Sequence, residues 1–296
     1  MEYKSSNKSI FAYVKENVQK YGEKVMLLNE TESYTFKEFF AIYNYLIFKF
    51  KSWGIGKGKT VAVTPPRSID APFVLFAVVA TEAVLVLSDP QKTVEEYLGH
   101  CSAKIDHDYI IRQNGYGVWL CECKDGRVFT FNKNDGVGFE DVADAPLTCD
   151  NETPSYIFFT SGSTGKSKAA LLTQYAMLNN GYNQLSLSGG TDKDITILIM
   201  PLHHVFGVQI LESNIAMGCK IFIPKTREKH YVLDCIEKYE VNHLDAVPTF
   251  YYMLLEAQKE RPRDLSKFKK GIIAGGAYSK QQFISIENGL GIKVCP

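Results

Sequence analysis

The residues with the most chemical promise lie in one run, 160–168, which reads TSGSTGKSK. Polyphosphate is held well by backbone N–H groups converging on its oxygens, with hydroxyls and a lysine in support. Gly162 and Gly165 permit the positive φ values that turn successive N–H groups inward. Ser161, Ser163 and Thr164 supply hydroxyl donors, Thr160 adds another, and Lys166 and Lys168 bring positive charge at the exit. The run follows an apolar stretch, 156–160, that reads as a strand. A strand delivering such a loop suits phosphate binding better than a flexible Ser/Gly linker does. The ligand these groups fit is a nucleotide, ATP above all.

Two kinds of phosphate loop compete for these residues. A Walker A loop needs a glycine five residues before its Gly-Lys-Ser/Thr ending. Gly165-Lys166-Ser167 supplies the ending, but Thr160 stands in the first position. A P-loop NTPase would make Lys166 the essential lysine.

The rest of the chain must position this loop, and its pattern predicts how. Ile10, Phe11, Val14 and Val18 recur at helical spacing. After a short strand at 24–29, Thr35 with Glu38 three residues on predicts a capping box opening a helix over 36–50. The GIGKGK run at 54–59 follows that helix and precedes a strand at 60–64, the wrong order for a dinucleotide fingerprint, so it reads as a plain turn. Helices near 69–80 and 93–101 alternate with strands at 83–87 and 109–111. Lys124-Asp125-Gly126 predicts a hairpin between 118–123 and 127–131, and the acidic, Gly- and Pro-containing stretch 132–154 reads as a long surface connection. Beyond the loop, a helix at 174–184 capped by Thr173 is followed by strands at 195–200, 220–223, 243–246 and 270–274. Helices at 209–217, 231–239, 250–259 and 280–288 fall between and after them, and a last strand begins near 293. Alternation of this kind predicts an α/β fold, a mostly parallel sheet covered on both faces.

Composition narrows the function. Lys plus Arg and Asp plus Glu number 33 each, which argues against a general electrostatic grip on nucleic acid or anionic membrane. The basic stretch 261–270 is interrupted by Asp264 and reads as a solvated surface turn. The seven cysteines form no CxxC pair, and Cys121-x-Cys123 is too tight for the usual zinc spacing, so free thiols in a reducing cytoplasm are expected and no metal ligand is assigned. The N-terminus lacks a signal core. The apolar stretch 71–87 carries Thr81 and Glu82 near its middle, and a central carboxylate costs roughly 2.5–3.5 kcal/mol in a membrane, so a buried helix running into a buried strand is expected there.

The stretch 156–173, YIFFTSGSTGKSKAALLT, closely resembles the phosphate-binding motif of the adenylate-forming, AMP-binding superfamily of acyl-CoA synthetases, aryl-CoA ligases, peptide-synthetase adenylation domains and luciferases. PLHHVFG at 201–207 resembles that family's second core motif, DAVPTFYYMLLE at 245–256 its AVP-x-x-Y stretch, and IIAGGAYS at 272–279 its Gly-Gly-Ala segment. WGIGKGKTVAV resembles an N-terminal strand-entry pattern. The resemblance implies two packed subdomains with mostly parallel sheets covered by helices: one around 60–185 carrying the phosphate loop, the other from 10–59 plus 186–296 carrying the acyl and nucleotide pocket segments. It implies an ATP-dependent acid–thiol ligase of the acyl-CoA synthetase kind, cytoplasmic and placed in fatty acid metabolism. Its substrates would be a carboxylic acid, ATP with Mg²⁺, and coenzyme A or a carrier thiol as acceptor.

Residue by residue, the resemblance gives Thr160, Ser161, Ser163, Thr164 and Lys168 to the ATP phosphates, with Gly162 and Gly165 shaping the loop. Gly275, Gly276 and Ala277 would lie along the nucleotide, and His204 beside the carboxylate, making His204 and Lys168 the catalytic candidates. Departures are Ser167-Lys168-Ala169 where relatives carry Pro-Lys-Gly, Gln174 where many have His, and Glu82 where Gly is common. The sequence stops before the family's Tyr-Gly-x-Thr-Glu segment, its ribose-binding Asp and its C-terminal domain with a catalytic Lys, which implies an N-terminal portion, weakly active or inactive alone. A non-catalytic nucleotide-binding module of the same fold is the alternative.

Overall fold

The computed structural model describes residues 5–114, 117–160 and 166–296, so the predicted phosphate-loop residues Ser161, Gly162, Ser163, Thr164 and Gly165 lie outside the described residues. Helix α1 (Ile10–Tyr21) is capped by the Ser9 hydroxyl and leads to strands β1 (Val25–Leu28) and β2 (Ser33–Thr35). Helix α2 (Phe36–Ser52) opens on the expected capping box: Thr35 N–H donates to Glu38 Oε2 at 2.7 Å and Glu38 N–H to Thr35 Oγ1 at 3.2 Å. The glycine run does form a turn, between α2 and β3 (Thr60–Thr64). Next come α3 (Ala71–Ala80), β4 (Val84–Leu87), α4 (Val94–Gly99) and β5 (Tyr109–Gln113). Strands β6 (Trp119–Cys123) and β7 (Val128–Phe131) form the predicted antiparallel hairpin. Strands β8 (Pro154–Thr160) and β9 (Lys168–Thr173) flank the loop. The remainder alternates as α5 (Gln174–Leu187), β10 (Ile195–Ile197), α6 (Val205–Met217), β11 (Lys220–Phe222), α7 (Lys229–Lys238), β12 (His243–Ala246), α8 (Pro248–Glu260), β13 (Lys270–Ile273), α9 (Lys280–Leu290) and β14 (Lys293–Cys295).

These strands make two sheets, ordered β14-β13-β12-β10-β11-β1-β2 and β7-β6-β5-β3-β4-β8-β9. Both are parallel in the middle and antiparallel toward an edge. One apolar cluster joins them: Leu27 and Ile221 of the first and Val61 and Leu85 of the second pack with side chains of α2, α3 and α6. Helix α3 is buried on every side, which is why its sequence is apolar all round. No helix among the described residues is long and apolar enough to cross a membrane, and 71–87 is indeed a helix followed by a strand. A second cluster under α7, α8 and α9 covers the outer face of the first sheet, and a smaller one under α4 covers the second.

Three local differences from the sequence reading have physical causes. Strand β9 was not expected, because Ala-Ala-Leu-Leu has no β-branched residue; it is a strand because it pairs antiparallel with β8. The stretch 261–270 is not simply solvated: Arg263 is buried, its Nη1 bonded to the Ala257 carbonyl at 3.0 Å and its Nε to Asp234 at 2.9 Å. The connection 132–154 is mostly exposed but begins with a short 3-10 helix, Lys133–Gly136, whose Lys133 turns inward. Glu82 holds φ 66°, a left-handed value that an L side chain adopts at a cost of about 1 kcal/mol.

Candidate active site

In a parallel sheet every βα connection leaves from the same edge, so loops from distant parts of the sequence gather at the carboxyl ends of the strands. Here the segments singled out from sequence all leave from those ends. Thr160 closes β8, the histidine turn follows β10, Val247-Pro248 follow β12, and Gly275-Gly276-Ala277 follow β13.

The histidine turn borders a cleft of about 340 Å³ whose walls come from both sheets. Pro65–Ser68 follow β3, Asp89–Gln91 follow β4, Leu198–His204 follow β10, and Ile223 and Arg227 follow β11. The His203 and His204 rings lie 4.2 Å apart between centroids. Burial pushes His203 down to about 4, helped by the neighbouring His204 and opposed by Asp89. His204 is more open and shifts the same way, through partial desolvation, again opposed by Asp89. At pH 7 both rings are therefore neutral, suited to hydrogen bonding and positioning rather than to charge pairing.

Local backbone geometry aims the turn. His204 is the N-cap of α6 with extended backbone, yet its side chain makes no capping bond, which leaves the ring for the cleft. Gly207 closes the motif because the first helical turn lies on the Pro201 carbonyl. A Cβ at Gly207 would sit 2.2 Å from that oxygen.

Thr160 and Lys168 are register partners at the end of the β8–β9 hairpin, and the Thr160 hydroxyl donates to the Lys168 carbonyl at 3.4 Å. They frame the mouth of the loop. No carboxylate among the described residues forms an ion pair with Lys166 or Lys168, so both ammonium groups are open to a ligand. Ser167 makes backbone bonds that the proline expected from the resemblance could not all make. Its N–H donates to the His100 carbonyl at 3.1 Å, a bond proline cannot make, and its carbonyl accepts Ser102 N–H at 2.8 Å. Gln174 is buried at the start of α5, where its Oε1 accepts the Ile10 N–H at 2.8 Å. A Walker A loop runs on into a helix, whereas this one runs into strand β9, so the P-loop NTPase reading fails on architecture.

Gly275 holds φ 78°, and a Cβ there would approach Val247 Cγ1 at 3.2 Å; a Cβ on Gly276 would meet Pro248 at 3.3 Å. The Gly-Gly-Ala and Ala-Val-Pro segments thus touch, as the loops after neighbouring parallel strands β12 and β13 must. Gly275, Gly276 and Ala277 are exposed, leaving an open backbone ledge.

The fold therefore brings the sites together in three groups. Among the described residues, the cleft beside His203 and His204 is not lined by Thr160, Lys168, Gly275, Gly276 or Ala277. It is lined by three charged side chains that sequence reasoning missed: Arg67, Asp89 and Arg227. Position just after a predicted strand was the one available signal for Arg67 and Asp89.

The family model for AMP-binding enzymes matches residues 14–292. The chain belongs to that family. The AMP-binding fold is matched in solved structures by o-succinylbenzoate coenzyme A synthetase (MenE) of Bacillus subtilis in complex with AMP, with a TM-score of 0.76 and 20% identity, over 95% of this chain and 71% of that chain. Curated relatives include 4-coumarate–CoA ligase-like 5 of Oryza sativa subsp. japonica, 24% identical over 79% of this chain and 47% of that protein. Acyl-CoA ligase SID4 of Ajellomyces capsulatus is 35% identical over 40% of this chain and 20% of that protein. Less than half the length of either relative is matched. The AMP-binding assignment supports an adenylate-forming ligase. The donors present fit a nucleotide: unpaired lysines and a hydroxyl at the hairpin end, and a glycine ledge that a Cβ would crowd.

Proposed function

We propose that this chain is the acid- and nucleotide-binding portion of an ATP-dependent carboxylate–CoA ligase. The observation that carries the reading is the gathering of the phosphate hairpin, the histidine turn and the Gly-Gly-Ala ledge at the carboxyl ends of the strands of two packed sheets. ATP, with Mg²⁺, would supply the adenylyl group, and coenzyme A or a carrier thiol would accept the acyl group. Thr160, Ser161, Ser163, Thr164 and Lys168 would hold the phosphates with preorganised donors, Gly162 and Gly165 permitting the turn. Gly275, Gly276 and Ala277 would let the backbone approach the nucleotide. His204, neutral at pH 7, would orient the carboxyl group by hydrogen bonding. Seven free thiols support a reducing compartment, hence the cytoplasm.

The division at 60–185 against 10–59 plus 186–296 is our proposal for the subdomains; the two sheets, drawn from residues 60–173 and from 25–35 plus 195–295, support it. The test is ATP–pyrophosphate exchange across a panel of carboxylic acids, with ATP affinity measured in parallel. Lys168→Ala is expected to weaken ATP at least about ten-fold and Lys166→Ala much less. Equal losses would overturn the assignment of Lys168. A second reading, a nucleotide-binding module without catalysis, is favoured by Ser167 and Ala169 in place of Pro and Gly. Tight ATP binding with no exchange on any acid would establish it.

A further inference from the structure

The cleft beside the histidines holds more positive charge than its own residues neutralise. Arg67 reaches from the loop after β3 to the far sheet, where its Nη2 donates to the Ile199 carbonyl at 3.1 Å. A guanidinium has five N–H donors, and no carboxylate among the described residues pairs with this one. Burial pushes Arg67 down to about 10, and the charge of Arg227 adds to the push. Arg227 lines the same cleft from the loop after β11, exposed and likewise without an ion-pair partner among the described residues. The acidic side chain in the lining, Asp89, accepts the Gln91 N–H at 3.0 Å and forms a salt bridge with neither arginine. With the histidines neutral, two cations face one carboxylate, and the described lining carries an excess positive charge.

Two like charges brought toward one cavity without counter-ions cost free energy that a bound anion returns. Guanidinium groups suit planar oxyanions, which they bind through paired N–H donors. The volume, about 340 Å³, lies at the small end of the range for small-molecule sites and has room for a short acid.

We infer that this cleft receives a short carboxylic acid bearing a second anionic group, held at Arg67 and Arg227 while the histidine turn faces the carboxyl to be activated. This rests on the carboxylate-ligase reading and names the substrate class within it. Arg67 and Arg227 are specificity residues: they hold the far end of the acid and take no part in bond making.

Calorimetric titration of the 296-residue chain with succinate, glutarate and adipate, each against the monocarboxylate of equal carbon number, tests the assignment. At least one dicarboxylate is expected to bind about ten-fold tighter than its partner. Arg67→Gln and Arg227→Gln should each bring that ratio toward one while ATP affinity stays unchanged; Arg227 is exposed, so its variant guards against a folding defect in the other. Ratios near one in the unaltered chain, or ratios unchanged in both variants, would overturn the inference, as would failure of every acid to bind. Binding of coenzyme A or inorganic phosphate that both variants abolish, with the acid ratios untouched, would assign the arginines to the thiol acceptor and equally overturn it. If ATP binds and the ratios are near one, the ligase reading survives and this inference fails. If ATP does not bind and the ratios hold, the cleft assignment survives alone.

Discussion

Lys133 and Arg67 are both cations withdrawn from water, and the molecule treats them in opposite ways. Lys133 Nζ lies 2.5 Å from Asp70 and 2.9 Å from Glu32, and its side chain is only 8% exposed. Burial alone would lower its pKa, but the bonds to Asp70 and then Glu32 outweigh that and raise it. The pair ties the start of the long connection to β2 and to the N-terminus of α3. Arg67 has one backbone carbonyl and another arginine for company. Structural charge in this fold is paired; charge at the cleft is left open, as a binding site requires.

The largest expected effect breaks or confirms that contrast directly. Lys133→Met should cost about 3 kcal/mol in urea unfolding, because it strands Asp70, which is 14% exposed, without a counter-ion. Glu32 is open enough for water to screen it and adds little. Arg67→Met should leave stability within about 1 kcal/mol or raise it, since it removes an unpaired charge and its repulsion with Arg227. A loss for Arg67→Met as large as for Lys133→Met would end the comparison.

Glu212 sharpens it from the acidic side. This carboxyl on α6 is fully buried, bonded by the Tyr156 hydroxyl through Oε1, while Oε2 has no partner among the described residues. Burial pushes it up to about 8, against the pull of the Tyr156 bond. Neutralisation, rather than pairing, is how the fold tolerates it. Because the folded value exceeds the ordinary 4.5, its stabilising contribution is complete below about pH 4.5 and is lost as pH rises through 8. Between those limits it lowers stability by up to about 1.4 kcal/mol per pH unit. Glu212→Gln should flatten that part of the urea-stability profile between pH 5 and 8. Parallel profiles for the two proteins would show that Glu212 is already ionised in the fold.

Sequence made the scaffold readable because its signals are local. The Thr35–Glu38 capping box, the Lys124-Asp125-Gly126 hairpin and the alternation of strands with helices each depend on a few neighbouring residues, and each formed as expected. The phosphate hairpin was half legible: β8 is announced by its apolar run, but β9 exists only through pairing with β8. The charges of the cleft were legible only in that Arg67 and Asp89 follow predicted strands. Arg67 and Arg227 come from loops of two different sheets, and no periodicity in the chain records that these loops line one cleft. Arg263 misled for the converse reason, a charge in a basic run that the carbonyls at the end of α8 and Asp234 drew inward.

The smallest effect concerns Ser167, where pairing is made by backbone rather than by charge. Its N–H and its hydroxyl both donate to the His100 carbonyl, at 3.1 and 3.2 Å, which stitches the exit of the phosphate loop to the end of α4. Ser167→Ala keeps the N–H and removes the hydroxyl; Ser167→Pro removes both. The site is half-exposed, so water replaces part of what is lost, and each bond is worth about 1 kcal/mol at most. Proline also stiffens the unfolded chain, which returns about 0.4–1 kcal/mol where its φ is tolerated. The two terms nearly cancel in global stability but not locally. Hydrogen exchange at the Ser102 amide, which bonds the Ser167 carbonyl at 2.8 Å, should quicken in Ser167→Pro and stay slow in Ser167→Ala. Equally fast exchange in both would assign the loop exit to the hydroxyl rather than to the N–H that proline lacks, and equally slow exchange would mean that neither bond of Ser167 holds it.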